Sequence, residues 1–217
     1  MKGNEYMDLE QEFSKLAKTE DLAKEHFPDI NDYAFWNMYR NRILLLEGTI
    51  EEWDYHIVKD IIGFNIEDFG KPKEERKPII LLVNSYGGLL DITFSIVDTI
   101  RTSETPVYTV NMGNALSGGC IIFLMGEKRF TTKNSWCMAH AGSGGLQGNY
   151  ADTKEQSKVW DEQVENMGNM ILERTGIDKR TYNKNKDKDW YLNQEQQLKY
   201  QFATDELKSI NQLLEVK

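Results

Sequence analysis

The chain has 217 residues, with 35 acidic against 26 basic side chains and a net charge of -9. That balance excludes a nucleic-acid partner, because a phosphate footprint needs clustered Lys and Arg that release counterions. With 40% hydrophobic and 28% charged residues the composition is that of a soluble globular domain. Its longest apolar run, residues 120–125, falls far short of the ~20 residues a membrane span needs.

The opening MKGNEYMDLEQEF has no apolar stretch of the secretory type, so the chain is expected to stay in the cytoplasm. Leu9, Phe13, Leu16, Leu22 and Ala23 lie among charges and predict one or two amphipathic helices over residues 7–27, closed by Pro28. Residues 1–41 therefore read as a helical N-terminal extension and 42–217 as the main domain. The run Arg42-Ile43-Leu44-Leu45-Leu46-Glu47-Gly48 predicts a strand ended by glycine, and Ile50, Trp53, Ile57 and Ile61 predict a helix after it. A charged linker at 67–77 leads to Ile79-Ile80-Leu81-Leu82-Val83, whose unbroken apolar content suits a strand covered on both faces.

After Ser85-Tyr86-Gly87-Gly88, the positions Ile92, Phe94, Ile96, Val97 and Ile100 predict a helix, and Pro106-Val107-Tyr108-Thr109-Val110 a further strand. Residues 117–125 read as a buried helix. Residues 129–132 and 136–139 read as short strands around an Asn134-Ser135 turn. A loop with four glycines follows at 141–148. Asp152 and Glu155 then form a capping-box pattern for a long helix carrying Val159, Trp160, Val164, Met167 and Ile171, ended by Gly176. Strands alternating with helices place the chain in the α/β class as a layered domain.

Three histidines exist, His26, His56 and His140, which limits any mechanism that uses imidazole as a base. His56 falls on a predicted helix and reads as solvated or packed. His140 ends a strand and runs into Ala141-Gly142-Ser143-Gly144-Gly145, so its ring can emerge at a sheet edge beside approachable backbone. The segment Gly113-Asn114-Ala115-Leu116-Ser117-Gly118-Gly119 puts a serine at the start of a buried helix. From position alone it reads first as an ordinary N-cap, and alternatively as a nucleophile beside free N–H groups. The two cysteines, Cys120 and Cys137, have no zinc-type spacing. No metal and no cofactor is expected, and a reduced chain is the simplest reading.

The ordered set Asn-Ser-x-Gly-Gly, Gly-x-Ala-x-Ser-Gly-Gly, Met-x-His and Asp-Trp-Tyr-Leu, spread over residues 42–207, resembles the proteolytic subunit of the Clp protease, a self-compartmentalised serine peptidase. The resemblance implies a crotonase-like layered β/α domain with a protruding helix-strand handle. It implies Ser117 as nucleophile, His140 as base and Asp189 as acid, with Asp187 competing for the acid's role. It further implies backbone N–H groups of Gly88 and Gly118 as the oxyanion hole, and Gly142, Gly144 and Gly145 at the border of the substrate groove. Polypeptides would be the substrates, and heptameric rings stacked into a barrel of fourteen subunits the assembly. An ATP-driven unfoldase ring is the family's partner, bound through a short axial segment. Here some 40 residues precede Arg42, so a standalone processing peptidase is a variant of the same reading. Tyr86 stands where the family has proline, and the loop after His140 lacks the family's Gln-Pro. Two other classes stay open: a catalytically idle scaffold subunit, and an acyl-thioester enzyme of the crotonase fold with a carboxylate near its oxyanion hole.

Overall fold

The computed structural model describes residues 30–214. The helical segment expected at 7–27, and His26 with it, lie outside the described residues. The chain divides between Asn41 and Arg42 into two units. Of the first, the described part is helix α1 (Ile30–Arg40), which the sequence reading does not anticipate. Phe35 stacks on Tyr39 one turn later, with ring centroids 6.3 Å apart, and Asn41 closes the helix by donating its N–H to Met38 O.

The second unit runs β1 (Ile43–Ile50), a 3-10 turn (Glu52–Tyr55), α2 (His56–Glu67), β2 (Ile79–Gly88), α3 (Leu90–Thr102), β3 (Val107–Leu116), α4 (Gly118–Met125), β4 (Lys128–Thr131), β5 (Trp136–Ala139), α5 (Tyr150–Arg174), α6 (Lys179–Asn185), β6 (Trp190–Leu192), α7 (Gln194–Lys199), β7 (Asp205–Glu206) and α8 (Asn211–Leu214). Parallel strands need crossover connections, and helices supply them here. The sheet order is β1-β2-β3-β4-β7, all parallel along this path. β3 then forks. Its residues 108–111 pair with β4, and from Asn114 to Leu116 it pairs with β5, which in turn takes β6 antiparallel.

Ile79, Leu81 and Val83 of β2 are fully buried, as strands covered on both faces must be. Every residue of α4 is buried as well. A second apolar cluster of Ile80, Tyr108, Val110, Phe130 and Leu213 fills the other face.

Several boundaries differ from expectation for identifiable reasons. Gly48 does not end β1. It takes a φ of +71° at a register shift between Gly48 and Thr49, so the strand bulges and continues to a fully buried Ile50. The helix consequently starts at His56, after the 3-10 turn. Helix α5 is capped by Asn149, whose side chain accepts from the Asp152 N–H, rather than by Asp152. Of the expected handle, the helix forms and the strand does not. Residues 141–149 carry four glycines and no ladder partner among the described residues. The apolar stripe of α5 also divides in two: Met167, Met170 and Ile171 are core, whereas Val159 is exposed.

The charged linker contributes more than solvation. Asp68, buried at its start, receives both guanidinium nitrogens of Arg42, one at 2.9 Å, together with the Thr105 hydroxyl at 3.0 Å and the Lys71 ammonium at 2.8 Å. This pins the N-terminal edge of β1 and β3, opposite the strand ends that carry Ser117.

Candidate active site

In parallel α/β sheets the groups that meet ligands collect at the carboxyl ends of the strands. Here β1, β2 and β3 end at Ile50, Gly88 and Leu116, and Ser117 is the next residue. Its φ is +53° and ψ -123°, a conformation disfavoured for a residue with a Cβ and worth of order 1–3 kcal/mol of strain. The strain is held in place from both sides. The Ser117 N–H donates to Met138 O of β5 at 2.9 Å, and Ser117 O accepts from the N–H groups of Cys120 and Ile121 at 2.9 and 3.2 Å. Ser117 occupies the N-cap position of α4, but its side chain makes no capping bond.

That hydroxyl goes to His140 instead. Ser117 Oγ lies 2.7 Å from His140 Nε2, and His140 Nδ1 lies 3.1 Å from Asp189 Oδ1. A carboxylate only accepts, so Nδ1 carries the proton, and a neutral ring then leaves Nε2 to accept from the serine. His140 follows the end of β5, which is fixed by β3 on one side and β6 on the other. Asp189 precedes β6, whose Trp190 packs edge-on against Tyr200 and Phe202 at 5.6 and 5.8 Å. Asp187 is exposed, and its charge faces Tyr182, whose hydroxyl pKa burial and then Asp187 push up. His56 turns elsewhere: Nδ1 meets Trp53 O at 3.0 Å and the ring stacks on Trp53.

The paired glycines of β2 are there for close approach. Gly87 has φ +86°, and a Cβ on it would sit 2.6 Å from Ser117 Cβ and 2.8 Å from the Gly118 nitrogen; one on Gly88 would sit 2.2 Å from Ile50 O. The backbone at Gly87 thus lies directly against the Ser117–Gly118 corner, and that at Gly88 against the end of β1. Buried Ser85 shapes the turn by donating to Gly48 O and accepting from the Gly87 N–H. The first amides of α4, Gly118 included, have no intrahelical acceptor by helix geometry. A cleft of about 810 Å³, lined by Thr49–Trp53 residues, Gly88 and Leu89, opens alongside.

On the other side of Ser117, the loop at 141–148 drapes over Trp160 of α5. A Cβ on Gly142 or Gly144 would meet that indole at 3.3 or 2.9 Å, while Gly145 faces open space. Gln156 ties the loop down by donating to Gln147 O. Trp160 is a residue whose role sequence reasoning missed, since on a helical stripe it reads as core. Among the described residues no group of three His, Cys, Asp or Glu is placed to hold a metal, and no helix is long and apolar enough to cross a membrane. The arrangement can do acyl-transfer chemistry: a hydroxyl polarised by an imidazole, an imidazole oriented by a carboxylate, and backbone amides within one turn of the hydroxyl.

The family model described as Clp protease matches residues 29–207. The chain belongs to the Clp protease family. It is 33% identical over 180 residues to the ATP-dependent Clp protease proteolytic subunit 2 of Treponema denticola, covering 82% of this chain and 87% of that one. It is 31% identical to the subunit of the same name from Treponema pallidum, over 76% of this chain and 82% of the other. It is also similar to a ClpP1 point mutant from Listeria monocytogenes, with a TM-score of 0.71 at 23% identity over 83% of this chain and 99% of that one. That last likeness is one of fold, the α/β fold of Clp protease subunits. The family match starts 13 residues before Arg42 and so takes in α1.

Proposed function

We propose that the chain is a serine endopeptidase that cleaves polypeptides through Ser117, His140 and Asp189. One observation carries the reading: the continuous hydrogen-bonded series Ser117 Oγ, His140 Nε2, His140 Nδ1, Asp189 Oδ1 at 2.7 and 3.1 Å. As Ser117 Oγ attacks a peptide carbonyl, His140 takes its proton, and Asp189 holds the ring and offsets the imidazolium charge. The oxyanion is received by the N–H groups of Gly88 and Gly118, each worth ~10²–10³ in rate. His140 returns the proton to the leaving amine, and a water deprotonated by the same nitrogen then releases the acyl group from Ser117.

An extended substrate backbone runs along the loop of Gly142, Gly144 and Gly145 by strand addition. This supplies the ladder partner that residues 141–149 lack among the described residues. Family membership supports a homo-oligomeric chamber of two heptameric rings, fed by an ATP-driven unfoldase ring. The separation of the chain into two units between Asn41 and Arg42 supports a division into an N-terminal extension, 1–41, and a peptidase domain, 42–217. Buried free thiols at Cys120 and Cys137 suit a reducing cytoplasm.

The acyl-thioester alternative requires a carboxylate at the oxyanion site. Glu104 pairs with Arg76 and Glu127 with Lys73, and the Glu127 N–H bonds Val107 O at the start of β3, the far end of the strand from Ser117.

The test is intact-mass analysis after a fluorophosphonate probe on wild type, Ser117→Ala and His140→Ala, with the native mass of each assembly. One adduct per chain on wild type, absent from both variants of unchanged assembly, is expected. An adduct on Ser117→Ala, or none on an assembled wild type, refutes the reading.

A further inference from the structure

The three strands that lead to the triad meet at one place, the fork where β3 exchanges β4 for β5. Ladder pairing to β4 ends at Asn111↔Thr131 and pairing to β5 begins at Asn114↔Trp136. A fork leaves main-chain carbonyls between the ladders without strand partners, and buried carbonyls must find donors. Two side-chain amides, both fully buried, supply them.

Gln197 of α7 donates from Nε2 to Ser135 O at 3.1 Å and to Leu192 O at 3.2 Å. Its Oε1 accepts from Asn111 Nδ2 at 3.2 Å and from the Thr131 hydroxyl at 2.9 Å. Asn111 gives its other Nδ2 hydrogen to Trp136 O at 2.9 Å and accepts from the Gly113 N–H at 3.2 Å. The full capacity of the Gln197 amide is used. Three of the residues so joined sit near the root of a triad residue: Asn111 is six residues before Ser117, Trp136 four before His140, and Leu192 three after Asp189.

We propose that Gln197 is a positioning residue for the triad: its amide at the fork of β3, β4 and β5 sets the mutual register of the strands that carry Ser117, His140 and Asp189. The inference rests on the serine-peptidase reading above. An apolar side chain of the same volume would fill this space but leave the Ser135 and Leu192 carbonyls without these donors. What an apolar side chain also lacks is directionality, and the one member of the triad with little else to hold it is Asp189, which lies at the surface just before a three-residue strand.

The experiment compares Gln197→Met, which keeps the volume and removes all four bonds, and Gln197→Glu, which keeps the shape and the acceptor but loses the Nε2 donors. Asp68→Asn, at the opposite edge of the sheet, serves as a control that loses stability without touching the fork. For each, the thermal midpoint and native mass are recorded. So are the rate of fluorophosphonate labelling per folded site, kcat and KM on a fluorogenic peptide, and the low-field proton resonance of the His140–Asp189 hydrogen bond. Misplacement of a catalytic group by ~1 Å costs up to ~10²-fold.

The expected result is a labelling rate and kcat about 10- to 100-fold lower in Gln197→Met, with KM unchanged and the low-field resonance lost, a smaller loss in Gln197→Glu, and full rate per folded site in Asp68→Asn. Folded Gln197 variants that label at the wild-type rate with the resonance intact overturn the proposal. So does failure of both to fold, which makes Gln197 a folding residue only. An assembled wild type that takes no label defeats the peptidase reading itself, a result distinguishable from these, and the inference falls with it.

Discussion

Asp189→Asn set against Asp187→Asn is the sharpest test of how the carboxylate acts. The two residues are separated by one position in the same charged loop, so the substitutions change net charge equally and differ only in what faces His140. Asp189 Oδ1 is 3.1 Å from Nδ1, with 58% of its side chain exposed against 16% for His140. Two unit charges at that distance interact by about 1 kcal/mol in bulk water and about 5 kcal/mol at an effective dielectric constant of 20. An aspartate more than half in water belongs in the lower half of that range, about 2 kcal/mol, which is about 30-fold in rate. Loss of the fixed tautomer adds to it, since an asparagine amide can donate to Nδ1 and turn the proton to Nε2, the nitrogen that must accept from Ser117. Asp189→Asn is therefore expected to slow fluorophosphonate labelling by at least about 30-fold, and Asp187→Asn by no more than about 2-fold. Second-order labelling rates by intact mass at one pH, on assemblies of equal native mass, decide it. A triad reasoned this way does not survive Asp189→Asn labelling at the wild-type rate, nor Asp187→Asn proving the slower of the two.

Two further outcomes follow from groups remote from the chemistry. Hydrogen bonds from Arg42 hold the Asp68 carboxyl well below the usual carboxylate range. Its contribution to stability is thus complete above the unfolded value near 4 and lost as pH falls through the lower, folded one. Asp68→Asn should cost about 3–5 kcal/mol at neutral pH and flatten the dependence of unfolding free energy on pH below about 4; an unchanged urea midpoint at pH 7 would defeat this reasoning. Cys120 and Cys137 are fully buried, 2.9 Å apart at sulfur, and burial pushes the Cys137 thiol well up. Neither should react with a disulfide reagent in the native protein and both should react in denaturant; prompt native modification would show that the corner between α4 and β5 opens.

What could be read from residues alone was whatever rests on local pattern. The apolar runs at 43–46 and 79–83 and the helical spacing from Ile92 to Ile100 each declare themselves within a dozen residues, and all became the expected kind of element, whereas the glycine-containing segments at 85–88 and 113–116 continue β2 and β3. The misplaced features depend on partners distant in sequence. Gly48 looks like a strand terminator because glycine usually is one, yet β2 lies alongside and carries β1 through a bulge. The resemblance implies a handle with a strand beside its helix, but a strand needs a ladder, and none of the described elements offers one to the loop at 141–149. Asp68 reads as one more charge in a solvated linker until Arg42, 26 residues earlier, and Thr105, 37 later, close over it.

Ser117 shows the same limit from the opposite direction. By residue type and position it is an N-cap, and serine is among the favoured caps for its ability to accept from the second or third amide of the helix. A capping serine, however, has extended backbone angles, which point Oγ back over its own helix. Ser117 instead takes φ +53° and ψ -123°, and the reason lies outside its segment: Met138 O of β5 accepts its N–H, and the Gly87 backbone closes against its Cβ. The side chain is thereby turned off the helix and toward the histidine that β5 delivers. A fold that wanted only a helix start would have left Oγ on the Gly119 or Cys120 amide and had no use for the strain. The cost is repaid by the burial of all of α4 and the ladders on either side, which is why the corner can hold a conformation the residue would not choose alone.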